Sequence, residues 1–142
     1  MTSLPKTETV DRTELLQSLI AKALKAGASA ADAVMVESTS FGASYRLGKV
    51  EDIERSETQD LGLRVIIGQK QAVVSTTDIS DRALAPLLER VIAMAKVAPE
   101  DRFCGLADPA LLTTSVAELD LDDGTDPSAD SLVALAAETE DA

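Results

Sequence analysis

The stretch Leu61-Gly-Leu-Arg-Val-Ile-Ile-Gly-Gln-Lys-Gln-Ala-Val-Val-Ser-Thr76 decides the fold. Leu61, Leu63, Val65 and Ile67 recur at every second residue and share one face of an extended strand, and Ile66 opposite them implies that the other face is partly covered too. A strand covered on both sides belongs in the middle of a sheet. Gly68-Gln69-Lys70-Gln71 then joins it to Ala72–Thr76 through a connection short enough for an antiparallel neighbour.

The same period of two extends upstream. Val34 and Val36 alternate with Ala33, Met35 and Glu37, while Phe41, Ala43, Tyr45 and Leu47 share a face opposite Gly42, Ser44 and Arg46. Leu47-Gly48-Lys49 makes a tight turn into Val50–Ser56, where Val50 and Ile53 stand three apart instead of two, as at a bulge or a polar edge. These segments predict a four- to five-stranded antiparallel meander with Val50–Ser56 near an edge.

Helical spacing flanks the strands on both sides. Asp11 caps a run in which Leu15, Leu16, Leu19, Ile20, Ala23 and Leu24 form one stripe, Glu14 reaches back to the cap, and Gly27 stops the helix. After the strands, Asp78 or Ser80 caps a second stripe of Leu84, Leu87, Leu88, Val91, Ile92 and Ala95, which Pro99 ends. Pro86 predicts a kink or a later start, because proline inside a helix costs about 3 kcal/mol. A helix on each side of an antiparallel sheet gives an α+β two-layer domain, with both stripes on one sheet face.

Composition bounds the rest. The chain has 142 residues, one domain's length, and aromatic residues are only 2%, so the core is aliphatic. No apolar run approaches the roughly 20 residues of a membrane span and no signal pattern opens the chain, which gives a cytoplasmic expectation. Up to Arg102 there are 15 acids against 13 bases; from Phe103 to Ala142 there are 10 acids and no base. Such a surface argues against nucleic acid and anionic membrane as direct partners. Residues 1–10 read as a disordered N-terminus, 11–109 as the α+β domain, and 110–142 as an acidic linker followed by a third helix. Asp126-Pro127 supplies that helix with a cap and a first-position proline, and its pattern runs out at Ala142, as expected of a piece of something longer.

Ala98–Pro109 concentrates Glu100, Asp101, Arg102, Phe103 and the single cysteine, Cys104. The chain has no histidine, so Cys104 lacks the commonest activating base, and Arg102 is opposed by Glu100 and Asp101. The stretch therefore reads as a loop that tucks Phe103 and Leu106 against the core and turns at Gly105, with its acids as turn and capping groups. Ser75-Thr76-Thr77-Asp78 is helix capping rather than a phosphate cradle, since Gly62 and Gly68 stand alone. Glu51-Asp52 and Asp122-Asp123 lack the donor spacing of a calcium loop, and Lys70 and Lys96 have no activating neighbour in sequence. No catalytic, cofactor-binding or metal-binding residue is assigned.

Arg46-Leu47-Gly48-Lys49-Val50-Glu51, Gly62-Leu63-Arg64-Val65 with Gly68-Gln69, Ala72–Asp78, Pro99-Glu100-Asp101 and Gly105-Leu106-Ala107-Asp108-Pro109 occur in an order and spacing that resemble the N-terminal region of the TldD/PmbA family, often labelled modulators of DNA gyrase. The Ser-Thr-Thr-Asp junction and the Gly-Leu-Ala-Asp-Pro loop resemble the PmbA (TldE) branch. The resemblance implies a non-catalytic domain of a cytoplasmic, peptide-degrading metallopeptidase complex, with a TldD-like zinc subunit and peptide substrate as partners. The family's paired-histidine zinc motif lies in the C-terminal region of the TldD partner, so no ligand residue carries over, and no cofactor is expected on this chain. Two other readings stand beside it: a stand-alone acidic module acting on a gyrase-like or basic partner, and a small enzyme using Cys104 or a lysine. Homo- and hetero-oligomers are both left open.

Overall fold

The computed structural model describes residues 11–121 and 123–142. The disorder expected of residues 1–10 and the Asp122 half of Asp122-Asp123 lie outside the described residues. The element order is α1 (Arg12–Lys25), β1 (Ala30–Arg46), β2 (Lys49–Ile67), β3 (Lys70–Thr76), α2 (Asp81–Val97), a 3-10 turn (Pro109–Leu111) and α3 (Ala129–Asp141). Two compact units result: one from residues up to Val36 with Gln59–Ala107, the other from Glu37–Thr58 with Asp108–Ala142.

The α+β class stands, but the strand count does not. Among the described residues the sheet has three strands in the order β1-β2-β3. Each of the two long strands absorbs what the sequence suggested were two shorter ones. The polar runs Glu37–Ser40 and Glu57–Asp60 resemble connections, yet neither contains a glycine or proline to turn the chain, and both continue as extended backbone. Leu61–Ile67 is central as expected, pairing antiparallel with β3 from Leu61↔Thr76 to Ile67↔Lys70. Val50–Ser56 lies beyond the reach of β3, which gives that part of the central strand the exposure of an edge: Val50 is 45% and Ile53 47% exposed.

Both hairpin turns follow from backbone chemistry. At the β1–β2 turn Leu47 (φ 52°) and Gly48 (φ 73°) both take positive φ, the requirement of a two-residue type I′ turn. At the β2–β3 turn Gly68 takes φ 62° at the first central position, where a type II′ turn needs it.

Among the described residues the main core cluster lies between α1, α2 and one face of the sheet. Leu19 and Ala23 of α1, Leu84, Leu87, Val91, Ile92 and Ala95 of α2, and Ala31, Leu61, Leu63, Val65 and Ala72 of the strands are buried together. Ala33 and Met35 pack against this cluster, so β1 turns Ala31, Ala33 and Met35 inward and leaves Val34 and Val36 outside. Ser29 fixes the entry to β1: its N–H and its hydroxyl both donate to the Ile66 carbonyl, at 2.8 and 2.9 Å, and its Oγ accepts from the Gly68 N–H at 3.0 Å.

Caps set the helix ends. Asp11 Oδ1 accepts from the Thr13 and Glu14 amides at 2.9 and 3.3 Å, and Gly27 follows the last turn of α1 with φ 105°. The late start at Pro86 is not what forms; α2 begins at Asp81 and runs through Pro86. A start at Pro86 would leave Leu84 outside the helix, and Leu84 is 4% exposed in the core. Burying it helps offset the one hydrogen bond that proline forfeits. Ala98 is extended (ψ 150°), as a residue before proline prefers, and α2 ends there. The third helix starts two residues later than Asp126-Pro127 suggested. Its cap is Ser128, whose Oγ accepts from the Ser131 N–H at 3.1 Å.

Within the second unit, Glu140 on the last turn of α3 accepts from the Leu47 N–H at 2.5 Å and from the Gly48 N–H at 3.0 Å, closing the tip of the long hairpin.

Candidate functional site

The face of the sheet turned away from the helices carries the polar chemistry of the first unit. On β2 the alternation that buries Leu63 and Val65 sends Gly62 and Arg64 to this face, and the β3 register places Val73 opposite Arg64 and Ser75 opposite Gly62. Asp32 of β1 meets Arg64: the guanidinium Nε lies 3.1 Å from each carboxylate oxygen, and Nη2 makes a further short contact with Oδ2. The pair is forked, which fixes geometry better than a single contact does. The hydrogen bond to Asp32 holds the Arg64 pKa above its ordinary value against a smaller opposing effect of desolvation, with added negative potential from Asp32 and Cys104. The side chains remain 35% and 45% exposed, so the pair orients this face more than it stabilises the chain.

Around the pair the face is apolar and open. Val34, Val36 and Val73 are 58%, 55% and 59% exposed. Val34 leans over Gly62, where a Cβ would come within 3.3 Å of Val34 Cγ1. This gives a shallow apolar floor beside the Asp32–Arg64 ion pair, a surface suited to docking.

The stretch around Cys104 becomes the loop that the sequence suggested, with one correction. The Asp101 N–H donates to the Gln69 carbonyl at 2.7 Å, tying the loop to the β2–β3 turn, and Asp101 Oδ1 accepts from the Phe103 N–H at 2.9 Å. Asp108 Oδ1 likewise accepts from the Ala110 N–H at 2.9 Å, opening the 3-10 turn. These acids are turn groups. Phe103, however, is 79% exposed and Leu106 49%, so neither is tucked into the core. The Phe103 ring instead lies under the Arg102 guanidinium, 4.5 Å from its centroid. The core is filled by helix and strand aliphatics, and a cation over the ring gives it a surface role.

Cys104 is half-buried and free, and its electrostatic neighbour is Arg64. At the strand-to-helix junction Thr76 Oγ1 accepts from the Asp78 N–H at 3.0 Å and Asp78 Oδ1 accepts from the Ser80 N–H at 2.9 Å. That bond pulls the Asp78 pKa below its ordinary 3.8. Lys70 Nζ reaches the Lys96 carbonyl at 3.4 Å, a cation on the C-terminal end of α2. Glu51 and Asp52 are exposed on β2. Among the described residues no three His, Cys, Asp or Glu side chains gather where they could hold a metal ion. A groove of about 450 Å³ runs between α1 and α2, with Leu84 and Leu88 as its floor and Lys22, Asp81 and Glu89 at its rim.

Sequence reasoning passed over Asp32 and Glu140. An arginine in the outward slot of a central strand, with an acid in an outward slot of the neighbouring one, was the available signal for the first pair. The Glu140 contact spans 93 residues and had none.

The pattern of the family described as PmbA/TldA metallopeptidase domain 1 matches residues 31–95, which are β1 to α2. A Haemophilus influenzae protein named metalloprotease PmbA homolog is 32% identical over 141 residues, covering 99% of this chain and 31% of that protein. The chain belongs to the TldD/PmbA family. Metalloprotease PmbA of Escherichia coli O157:H7 is 29% identical over 132 residues, 91% of this chain and 29% of that one. The chain thus spans about a third of the length of these PmbA relatives. A Bacteroides thetaiotaomicron crystal structure described as a modulator of DNA gyrase superposes with a TM-score of 0.71 over 79% of this chain and 25% of that one. At 20% identity it shows a shared fold.

Proposed function

We propose that this chain is a non-catalytic N-terminal domain of a PmbA/TldE-like subunit, working in a cytoplasmic metallopeptidase complex that degrades peptides. The observation that carries the reading is the match of nearly the whole chain, 99%, to under a third of a metalloprotease PmbA homolog. The absence of histidine supports a division of labour in which a TldD-like partner supplies the zinc and its ligands. In that arrangement the chain positions peptide or partner, and the open sheet face with Val34, Val73 and the Asp32–Arg64 pair is the surface that docks. Co-expression with a TldD-like zinc subunit tests it: the two chains co-purify, and peptide degradation needs both and is lost with chelator. Hydrolysis by this chain alone that survives chelator and disappears in Cys104→Ala would replace the reading with a cysteine enzyme.

A second reading is favoured by the 10 acids and no base from Phe103 to Ala142: an acidic module acting on a gyrase-like or basic partner. Gyrase binding that weakens steeply with salt and vanishes on deletion of residues 118–142 would support it over the first.

A further inference from the structure

The two strands of the long hairpin are protected very differently against further pairing. Edge strands expose unpaired N–H and C=O groups, and natural sheets block them with charge, proline or bulges. On β2, Glu51, Asp52, Glu54, Arg55 and Glu57 fall within seven residues. On β1, which among the described residues has β2 as its only strand neighbour in the sheet, Ser38-Thr39-Ser40-Phe41-Gly42-Ala43-Ser44-Tyr45 contains no charge and no proline. None of these eight residues takes positive φ, so no left-handed kink interrupts them. The stretch offers roughly 26 Å of uniform edge at about 3.3 Å per residue. Alternate side chains are half-buried (Phe41, Ala43, Tyr45) and exposed (Ser40, Gly42, Ser44), the pleat that an added strand would continue.

Charge selects the occupant. The unit that contains this edge, Glu37–Thr58 with Asp108–Ala142, carries 15 acids and 3 bases by sequence, whereas the other unit carries 10 of each. The entire net charge of -12 therefore belongs to the unit with the open edge. A second copy of the chain would bring like charge against like; a cationic strand would be drawn in.

We infer that Ser38–Tyr45 of β1 takes up, by strand addition, an extended net-basic segment of an unfolded peptide substrate. Main-chain hydrogen bonds supply sequence-tolerant affinity, and the acidic unit supplies selection for positive charge. The inference deepens the peptide-handling reading and relies on it only for calling the peptide a substrate. The test uses the whole chain and three fluorescein-labelled peptides of equal length: alternating Lys-Val, alternating Glu-Val, and Lys-Val methylated at every backbone nitrogen, so that neither edge of the added strand can donate. Anisotropy at 50 mM salt is expected to give binding of Lys-Val at least tenfold tighter than either other peptide, weakening on going to 300 mM. Amide signals from Ser38 to Tyr45 should gain exchange protection on binding. Gly42→Pro should lose binding with the far-UV spectrum retained; if that variant does not fold, the methylated peptide on the unaltered chain decides. Equal binding of methylated and unmethylated Lys-Val, protection confined to other residues, or self-association of the chain through this edge would overturn the inference. No zinc subunit is present, so failure of the assembly reading in co-purification and failure here are separate results.

Discussion

Truncating Leu63 to alanine should cost about 3–4 kcal/mol, while truncating Val73 should cost under about 0.5 kcal/mol, though the two side chains lie on adjacent strands of one short hairpin. Leu63 is fully buried, Val73 is 59% exposed, and the β3 register puts Leu63 opposite Val74 and Val73 opposite Arg64 on the other face. Burial of a leucine is worth about 2–3 kcal/mol in transfer alone. A cavity contribution adds to this, because the void left by Leu63 is bounded by side chains from two helices and the sheet and cannot close fully. For a chain of this length the total stability is on the order of 7–14 kcal/mol, so Leu63→Ala removes a large share of it. Urea unfolding followed by far-UV circular dichroism is the assay, since the chain has no tryptophan and one tyrosine. Unchanged slopes with a lower midpoint for Leu63→Ala alone are expected. Equal shifts in the two variants would refute the assignment of the sheet faces.

Phe103→Ala should lower stability by less than about 1 kcal/mol in the same assay, because the ring is 79% exposed and loses mainly its contact with Arg102. Pro86→Ala should raise stability by about 1–2 kcal/mol, restoring a backbone donor on the exposed side of α2 against some gain in unfolded-state freedom. Leu47→Asn should raise it by several tenths of a kcal/mol up to about 1, since asparagine tolerates the positive φ of a type I′ turn better than leucine. The Asp78 carboxyl, depressed by the Ser80 N–H, favours the folded form fully above its ordinary value of 3.8 and loses that contribution as pH falls through its lower folded value. Proton exchange at the Ser80 amide should report this acid-side loosening, and Asp78→Asn should flatten its pH dependence.

The two helices α1 and α2 were legible because each has one wet and one dry side, and the central strand because its apolar residues alternate with a buried Ile66 on the opposite face. The stripe Leu84, Leu87, Val91, Ile92, Ala95 reports α2 directly, and Leu61, Leu63, Val65 with Ile66 report β2. Glu37–Ser40 and Glu57–Asp60 were misread because no such asymmetry exists there: a two-stranded ribbon largely open to water has little hydrophobic alternation to show, and only the lack of glycine and proline marks it as continuous. Phe103 was misplaced for the opposite reason. Apolarity alone says that a ring can be buried, and whether it is depends on whether aliphatics already fill the core, as Leu19, Leu87 and Val91 do. The turn roles of Asp101 and Asp108 were legible because Asx turns are local; Asp32 with Arg64 and Glu140 with Gly48 were not, being contacts between distant segments.

The Glu140 contact sets an order of events at the ribosome. Leu47 and Gly48 emerge more than 90 residues before the carboxylate that accepts their amides. At about 5–20 residues per second the nascent hairpin waits roughly 5–20 s with its tip unclosed. Through that interval the strained Leu47 turn stands on its own backbone preference, so a newly made chain exposes the tip and the uncharged strand beside it well before α3 exists to hold it.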